Sequence, residues 1–332
     1  MNQHPTKKNF NILFTCIGRR VSLLRLFRCA CLELGLSSNF IGTDITDLSP
    51  ALQLCDQKLK VSRVDDPEYL IQLLEIIEKY KIKLLVPTVD LDLKILAKNK
   101  RTINDLGCTV LISDPEVIDI CQDKRATFNF LKNHKFGTPE AWTMEDNYLN
   151  ERKFKFPVFL KPWDGHASKG TVKVNDMEEL TFYSRRIHKC LVQEFITGRE
   201  YTCDAYLDDH NFPHCVVPRK RIEIRNGEVS KGKVVKNVPI INEVNRLMKL
   251  LKAGPGVITT QLILTPDNEI KIIEINPRLG GGVPLAIKAG ANFPRWIIED
   301  LLFPHIKKNP HRYNYQDGLI MLRYDDEIWM DT

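Results

Sequence analysis

The chain has 332 residues, of which 43% are hydrophobic and 27% charged, the balance of a globular protein long enough for two or three compact units. Its net charge of +6 is spread out, with only short basic groups such as Pro218-Arg219-Lys220-Arg221, which suits a small anionic ligand and makes no case for nucleic acid. No apolar run reaches the roughly 18 to 20 residues of a membrane span, and MNQHPTKKN leads into a strand-like FNILFTC without a signal-peptide core, so the expected location is cytoplasmic. The nine cysteines are scattered without a CxxC pair, which reads as reduced thiols and no zinc.

In chain order, Phe10 to Cys16 reads as a buried strand, followed by Gly18-Arg19-Arg20 and a helix-period run closing at Gly35. Phe40 to Asp44 is a second strand, and Leu48 to Cys55 a short helix or loop. Asp65-Asp66-Pro67 starts a helix through Tyr80; Lys83 to Pro87 is a strand, Leu91 to Lys98 a helix and Cys108 to Ile112 a strand. This alternation predicts a parallel sheet over residues 1–113, with ligands beyond the carboxyl ends of its strands. Candidates there are Arg19 and Arg20, Asp44, and Thr88, Asp90 and Asp92. One glycine after the first strand gives a dinucleotide fold little support. Arg19 and Arg20 suit an anionic substrate as well as they suit a solvated surface pair.

A helix capped by Ser113-Asp114-Pro115 and a second one starting at Asp123 lead into short strands: Val158 to Lys161, Gly170 to Val174, Cys190 to Glu194, Tyr201 to Leu207 and His214 to Val217. Met177 to Ile187 is a helix among them. The α+β region ends in a hairpin, VITTQLIL and IKIIEI around Pro266-Asp267-Asn268-Glu269. Centred between Asp267 and Asn268, this hairpin sets Gln261 directly across from Glu274, with Asn276 on the same face. A lone carboxylate at a core-like strand position costs several kcal/mol unless compensated. Pairing of Glu274 with Arg278 is the plain explanation. Three converging oxygen donors fit Mg²⁺ better, with phosphate oxygens and waters completing the octahedron.

After Lys161, the loop Gly165-His166-Ala167-Ser168-Lys169-Gly170 could cradle phosphate oxygens, although on its own it reads more simply as a hairpin turn. It is not a Walker loop, because a strand follows where a helix would be needed. Lys124, alone, is an exposed lysine in a first helical turn. Around Glu194 and Ile196 the backbone could meet a planar heterocycle, and Glu200 could accept from sugar hydroxyls.

Taken in order, Lys124, Lys161 with its glycine loop, Gln193-Glu194 with Glu200, and Gln261, Glu274, Asn276 and Arg278 resemble the ATP-grasp superfamily. The match is nearest to carboxylate–amine ligases like the carbamoyl phosphate synthase large subunit and runs from about Asn11 to Leu302. The resemblance implies a Rossmann-like pre-ATP-grasp α/β domain over 1–113, then an α+β ATP-grasp domain with a small subdomain over 114–195 and a large one over 196–303, and a tail over 304–332. It implies ATP and Mg²⁺, with Mn²⁺ as the alternative ion. Lys124, Lys161, Ser168 and Gly170 would bind phosphates; Gln193, Glu194 and Ile196 the adenine region; and Glu200 the ribose. Arg221 and Lys231 would approach the phosphates. Gln261, Glu274 and Asn276 would hold the metal, while Lys161, Asn276 and Arg278 would serve the reaction. Gln261 stands where a carboxylate is common in the family. The implied reaction joins a small carboxylate to an amine through an acyl phosphate, with a homodimer as the default assembly and no nucleic acid or membrane partner. One ATP-grasp unit without a glutaminase domain argues against full carbamoyl phosphate synthesis. A carboxyphosphate-forming enzyme and a non-catalytic ATP-binding module are the alternatives.

Overall fold

The computed structural model describes residues 9–143, 154–165, 170–304 and 313–331. Its amino-terminal part is a parallel sheet of β1 (Asn11–Thr15), β2 (Phe40–Asp44), β3 (Gln57–Lys60), β4 (Ile82–Pro87) and β5 (Thr109–Val110), in the order β3-β2-β1-β4-β5. The connections hold α1 (Val21–Glu33), α2 (Pro50–Gln53), α3 (Glu68–Lys79) and the consecutive α4 (Leu93–Lys98) and α5 (Lys100–Asp105). One face packs on α1 and the other on α3 to α5, which is why the strands read as continuous apolar runs. Because β2 lies on one side of β1 and β4 on the other, the loops after β1 and β4 splay apart and leave a crevice. Arg19 and Arg20 stand at one lip of it and Asp90 at the other. β3 was not legible as a strand because QKLK is mostly exposed and carries no apolar alternation.

Next, α6 (Pro115–Gln122) and α7 (Lys124–Asn133) lead to an antiparallel sheet of β6 (Ala141–Thr143), β7 (Val158–Pro162), β8 (Val172–Val174) and β9 (Cys190–Glu194), ordered β6-β9-β7-β8. Val158, Leu160 and Val192 turn one face of it onto α8 (Met177–Ser184), burying a small separate core with Leu180. Phe159 lies opposite Gln193, and with Lys161 these residues form the other face.

The third sheet has six strands, β10 (Arg199–Leu207), β11 (Pro213–Arg225), β12 (Glu228–Val234), β13 (Gly256–Leu264), β14 (Ile270–Asn276) and β15 (Ile320–Leu322), ordered β14-β13-β10-β11-β12-β15. Alternation along β10 explains its two faces. Tyr201, Cys203, Ala205 and Leu207 pack with α9 (Val238–Leu251). Tyr206, on the opposite face, packs with α10 (Val283–Lys288), α11 (Phe293–Leu302) and α1, joining this sheet to the amino-terminal one in a shared core. Farther along that face Asp204, Thr202 and Glu200 replace apolar residues, and here the interior opens into cavities.

Two strands run differently from their sequence reading. β11, expected to stop at Val217, continues to Arg225, since the charged stretch PRKRIEIR hides a strand whose polar face lines a cavity. In the hairpin, Leu264 pairs with Ile270, so the turn is one residue shorter than a turn centred on Asp267-Asn268. A bulge after Ile272 then restores the register, and Gln261 does face Glu274 and Thr259 faces Asn276.

Candidate active site

Cross-strand pairing builds the floor. Arg219 of β11, Thr202 of β10, Gln261 of β13 and Glu274 of β14 form one row across four strands, each directly opposite the next. Two cavities meet on this row. The narrower, about 250 Å³, lies between the six-stranded sheet and the face of the small sheet, and is lined by Lys124, Lys161, Gln193, Glu194, Ile196 and Glu200. The wider, about 620 Å³, runs toward the crevice of the parallel sheet and is lined by Arg19, Arg20, Asp90, Asn276 and Arg278. Gln261, Glu274 and Arg221 line both.

Lys161 is 8% exposed. Burial pulls its ammonium down to about 8, against the attraction of Glu274, while the neighbouring Lys124 lowers it further. Lys124 is tied back onto the loop that follows β7. Its Nζ donates to the Gly165 carbonyl, and its N–H donates to the Trp163 carbonyl at 2.9 Å. The Arg221 guanidinium reaches Gln261 Oε1 at 3.1 Å, the Gly227 carbonyl at 3.0 Å and Glu200 Oε2 at 3.3 Å. Its buried Nε has no partner among the described residues.

Arg278 turns away from Glu274. It is held by Asp90, Nε to Oδ1 at 3.0 Å and Nη2 to Oδ2 at 2.5 Å, so the plain Glu274–Arg278 pair expected from proximity in sequence does not form. Beneath it, Arg219 and Asp204 are a fully buried bidentate pair at 2.6 and 3.0 Å, and the Thr259 hydroxyl is 3.0 Å from Asp204 Oδ1. Gly280, Gly281 and Gly282 cross over these groups. A Cβ on Gly282 would sit 2.4 Å from Arg219 Nη1, and one on Gly281 would sit 2.6 Å from Arg20 Nη1.

Of the residues singled out in the sequence, Lys124, Lys161, Gln193, Glu194, Ile196, Glu200, Arg221, Gln261, Glu274, Asn276 and Arg278 come together along these cavities. The Glu194 carboxylate also accepts from the Glu140 N–H at 3.1 Å. Gly170, with φ near +71°, sits against Pro162. Ser168 lies outside the described residues. Lys231 is not brought to the site: it lines neither cavity, and its Nζ is 2.6 Å from Glu223 Oε2 on the neighbouring strand. Strand alternation is the reason: on β12 it is Gly232 that lies opposite the cavity-lining Arg221, and Lys231, one residue earlier, lies opposite Glu223. Sequence reasoning passed over Arg219 and Asp204, whose signal was the alternation of both strands, and Glu228 and Arg323, which carried no signal of their own.

Residues 121–282 match the ATP-grasp domain, and residues 12–111 match the PylC-like N-terminal domain. The chain is 25% identical over 208 residues to the carbamoyl phosphate synthase large chain of Clostridium beijerinckii, covering 57% of this chain and 19% of that one. It thus spans about a fifth of the length of that relative. Among solved structures it is similar to the L-amino acid ligase of Bacillus licheniformis, with 20% identity, 90% of this chain and 75% of that chain covered, and a TM-score of 0.70. It is also similar to the biotin carboxylase domain of the 2-oxoglutarate carboxylase of Hydrogenobacter thermophilus, in complex with MgADP, ADP and bicarbonate, with 17% identity, 94% and 74% covered, and a TM-score of 0.73. No helix among the described residues is long and apolar enough to cross a membrane. The chain thus carries a stretch that matches an ATP-grasp domain over residues 121–282, standing behind one that matches a PylC-like N-terminal domain over residues 12–111.

Proposed function

We propose that this protein is an ATP- and Mg²⁺-dependent ligase that joins a small carboxylate to an amine. The observation that carries the reading is the position of Glu274 and Gln261 at the junction of two cavities, one lined by lysines and the other by arginines. Nucleotide in the narrower cavity, with its phosphates toward Lys124 and Lys161, would direct its terminal phosphate at an acid held in the wider one. The donor set fits a hard cation. Glu274, Gln261 and Asn276 offer one carboxylate and two amide oxygens, and no group of three His, Cys, Asp or Glu side chains competes for a softer metal among the described residues. Bound there, Mg²⁺ would neutralise phosphate charge.

The chain's own residues then have separable tasks. Lys161 and Lys124 bind phosphate oxygens, and the unpartnered Nε of Arg221 is a donor available to another. Glu200, 47% exposed and paired to Arg221, suits ribose hydroxyls, while Gln193, Glu194 and Ile196 suit the base. Arg278, oriented by Asp90, stands where the attacked phosphoryl group and the acyl phosphate would develop charge. The substrate carboxylate attacks the γ-phosphorus and ADP leaves; the amine then displaces phosphate to give the amide. Positioning and charge neutralisation suffice, with no general base required from the protein.

Release of ADP from Mg·ATP, measured with pooled carboxylates and amino acids, tests the proposal. Turnover that requires an amine supports the ligase. Turnover that requires bicarbonate instead transfers the reading to a carboxyphosphate-forming enzyme, and tight Mg·ATP binding without turnover to a nucleotide-binding module.

A further inference from the structure

One wall of the wider cavity, lined by Arg19, Arg20 and Glu228 and backed by Arg323, is assembled from distant parts of the chain. Arg19 and Arg20 follow β1, Glu228 opens β12, and Arg323 follows β15, beyond residue 282, where the ATP-grasp match ends. A single carboxylate holds two guanidinium groups: Arg20 Nη1 lies 3.0 Å from Glu228 Oε1, and Arg323 Nη1 lies 2.8 Å from Oε2. Arg323 Nη2 also donates to the Gly281 carbonyl at 2.6 Å, and its N–H donates to the Ser230 carbonyl at 2.8 Å. The carboxy-terminal strand is thereby fastened to both the glycine loop and, through Glu228, the amino-terminal domain.

Counting charge around the cavity locates an imbalance. Arg278 is matched by Asp90, Arg219 by Asp204 and Arg221 by Glu200. Arg20 and Arg323 share one carboxylate, and Arg19 has no ion-pair partner among the described residues. Glu274, on the sheet floor, is a lining carboxylate without an ion pair among the described residues, and the excess of arginine over carboxylate lies on this one wall. Burial pulls the Arg20 guanidinium below its usual range even though Glu228 opposes the shift, so an anion beside it would recover part of the lost solvation. Glu228 cannot serve both arginines and remain available, since Arg20 and Arg323 hold its carboxyl below the ordinary range despite its burial.

We propose that Arg19 and Arg20 form a subsite for an anionic group carried by the non-nucleotide substrate, distinct from the reacting carboxylate, and that Arg323 is a positioning residue which braces this subsite through Glu228 and Gly281. The inference rests on the ligase reading and narrows it to substrates that keep a free carboxylate or phosphate after reaction. The carboxy-terminal strand then selects substrate although it lies outside both matched domains.

The test holds one carboxylate partner fixed and compares, as the amine, free α-amino acids, their neutral carboxamides and O-phosphoserine in ADP release. The expected result is a KM for the free acids, the phosphorylated one, or both, at least fivefold below that for the amides; which acid responds identifies the carboxylate or the phosphate as the group bound. R19A and R323A should each raise the lower KM about fivefold, the most that a pair one-third exposed supports, and leave KM for ATP and for the amides within twofold. R323K should recover part of the loss. Equal KM values for acids and amides in the unaltered protein, or variants that shift all KM values alike, overturn the subsite. If no pool releases ADP, the ligase reading fails separately, and calorimetry with succinate on the Mg·ADP-saturated protein decides the subsite: weaker binding by R19A and R323A sustains it, and equal or absent binding overturns it.

Discussion

Arg278 and Asp90, 188 residues apart, form a bidentate ion pair that joins the ATP-grasp domain to the loop after β4, each side chain only 13% exposed. The sequence neighbours of Arg278 offer only longer contacts, Nη1 to the Leu279 carbonyl at 3.3 Å and Nη2 to Asn276 Oδ1 at 3.4 Å, and Glu274 faces Gln261, so the ion-pair partner of Arg278 comes from another domain.

Loss of that clamp has a measurable cost. Asp90→Ala leaves a partly buried guanidinium unpaired, and is expected to lower stability by about 2 to 3 kcal/mol in urea denaturation and turnover by about a hundredfold. Arg278→Lys keeps the charge but loses the two-point geometry, so turnover should fall with a smaller stability change. Unchanged turnover in both variants would show that Arg278 does not act at the reacting group.

Glu274→Ala is expected to abolish ADP release with only a small loss of thermal stability, since the carboxylate has no hydrogen-bonded partner to leave behind among the described residues and its attraction for the buried Lys161 is lost. Gln261→Glu adds a second carboxylate to the same donor set. That variant should retain activity and reach half-maximal rate at a lower Mg²⁺ concentration, as a greater ligand charge binds the ion more tightly. A Mg²⁺ titration that does not move would count against Gln261 as a ligand.

The depressed Lys161 predicts a pH dependence of determinate sign. Its folded value, about 8, lies below the ordinary 10.5. Below pH 8 the lysine is charged in both states and burial of that charge works against folding. Between about pH 8 and pH 10.5 the unfolded chain holds a proton that the folded protein has released, so the Lys161 contribution makes stability rise across this window. Lys161→Met should flatten that rise in a comparison of urea midpoints. Mg·ATP, by favouring the ammonium, should bind with proton uptake near pH 8 to 9, seen by calorimetry in buffers of different ionisation enthalpy and lost in the variant.

Close approach makes the glycine loop intolerant in a graded way. Gly282→Ala puts a methyl 2.4 Å from Arg219 Nη1 and 2.6 Å from Val229 Cγ1, against a guanidinium that is 2% exposed and held on both sides. Destabilisation of about 1 to 3 kcal/mol is expected. Gly281→Ala meets Arg20 Nη1 and Glu228, the ends of more exposed side chains, and should cost less stability. Denaturation midpoints of the two variants in the reverse order would contradict this packing.

The sequence by itself determined the alternation that makes the first sheet parallel, the change to hairpin-linked strands beyond it, and the facing of Gln261 and Glu274. These follow from side-chain periodicity and turn composition, which act over a few residues. Even there the route differed, as a shorter turn and a bulge offset one another. Only the tertiary structure decided that Arg278 belongs to Asp90, that Arg219 rather than Lys231 lies under the site, and that Arg323 reaches Glu228. An ion pair between residues far apart in the chain leaves no local pattern. Whether a charged residue points into a cavity or into water depends on which strands lie beside it and which domain covers its face, and both are fixed by packing.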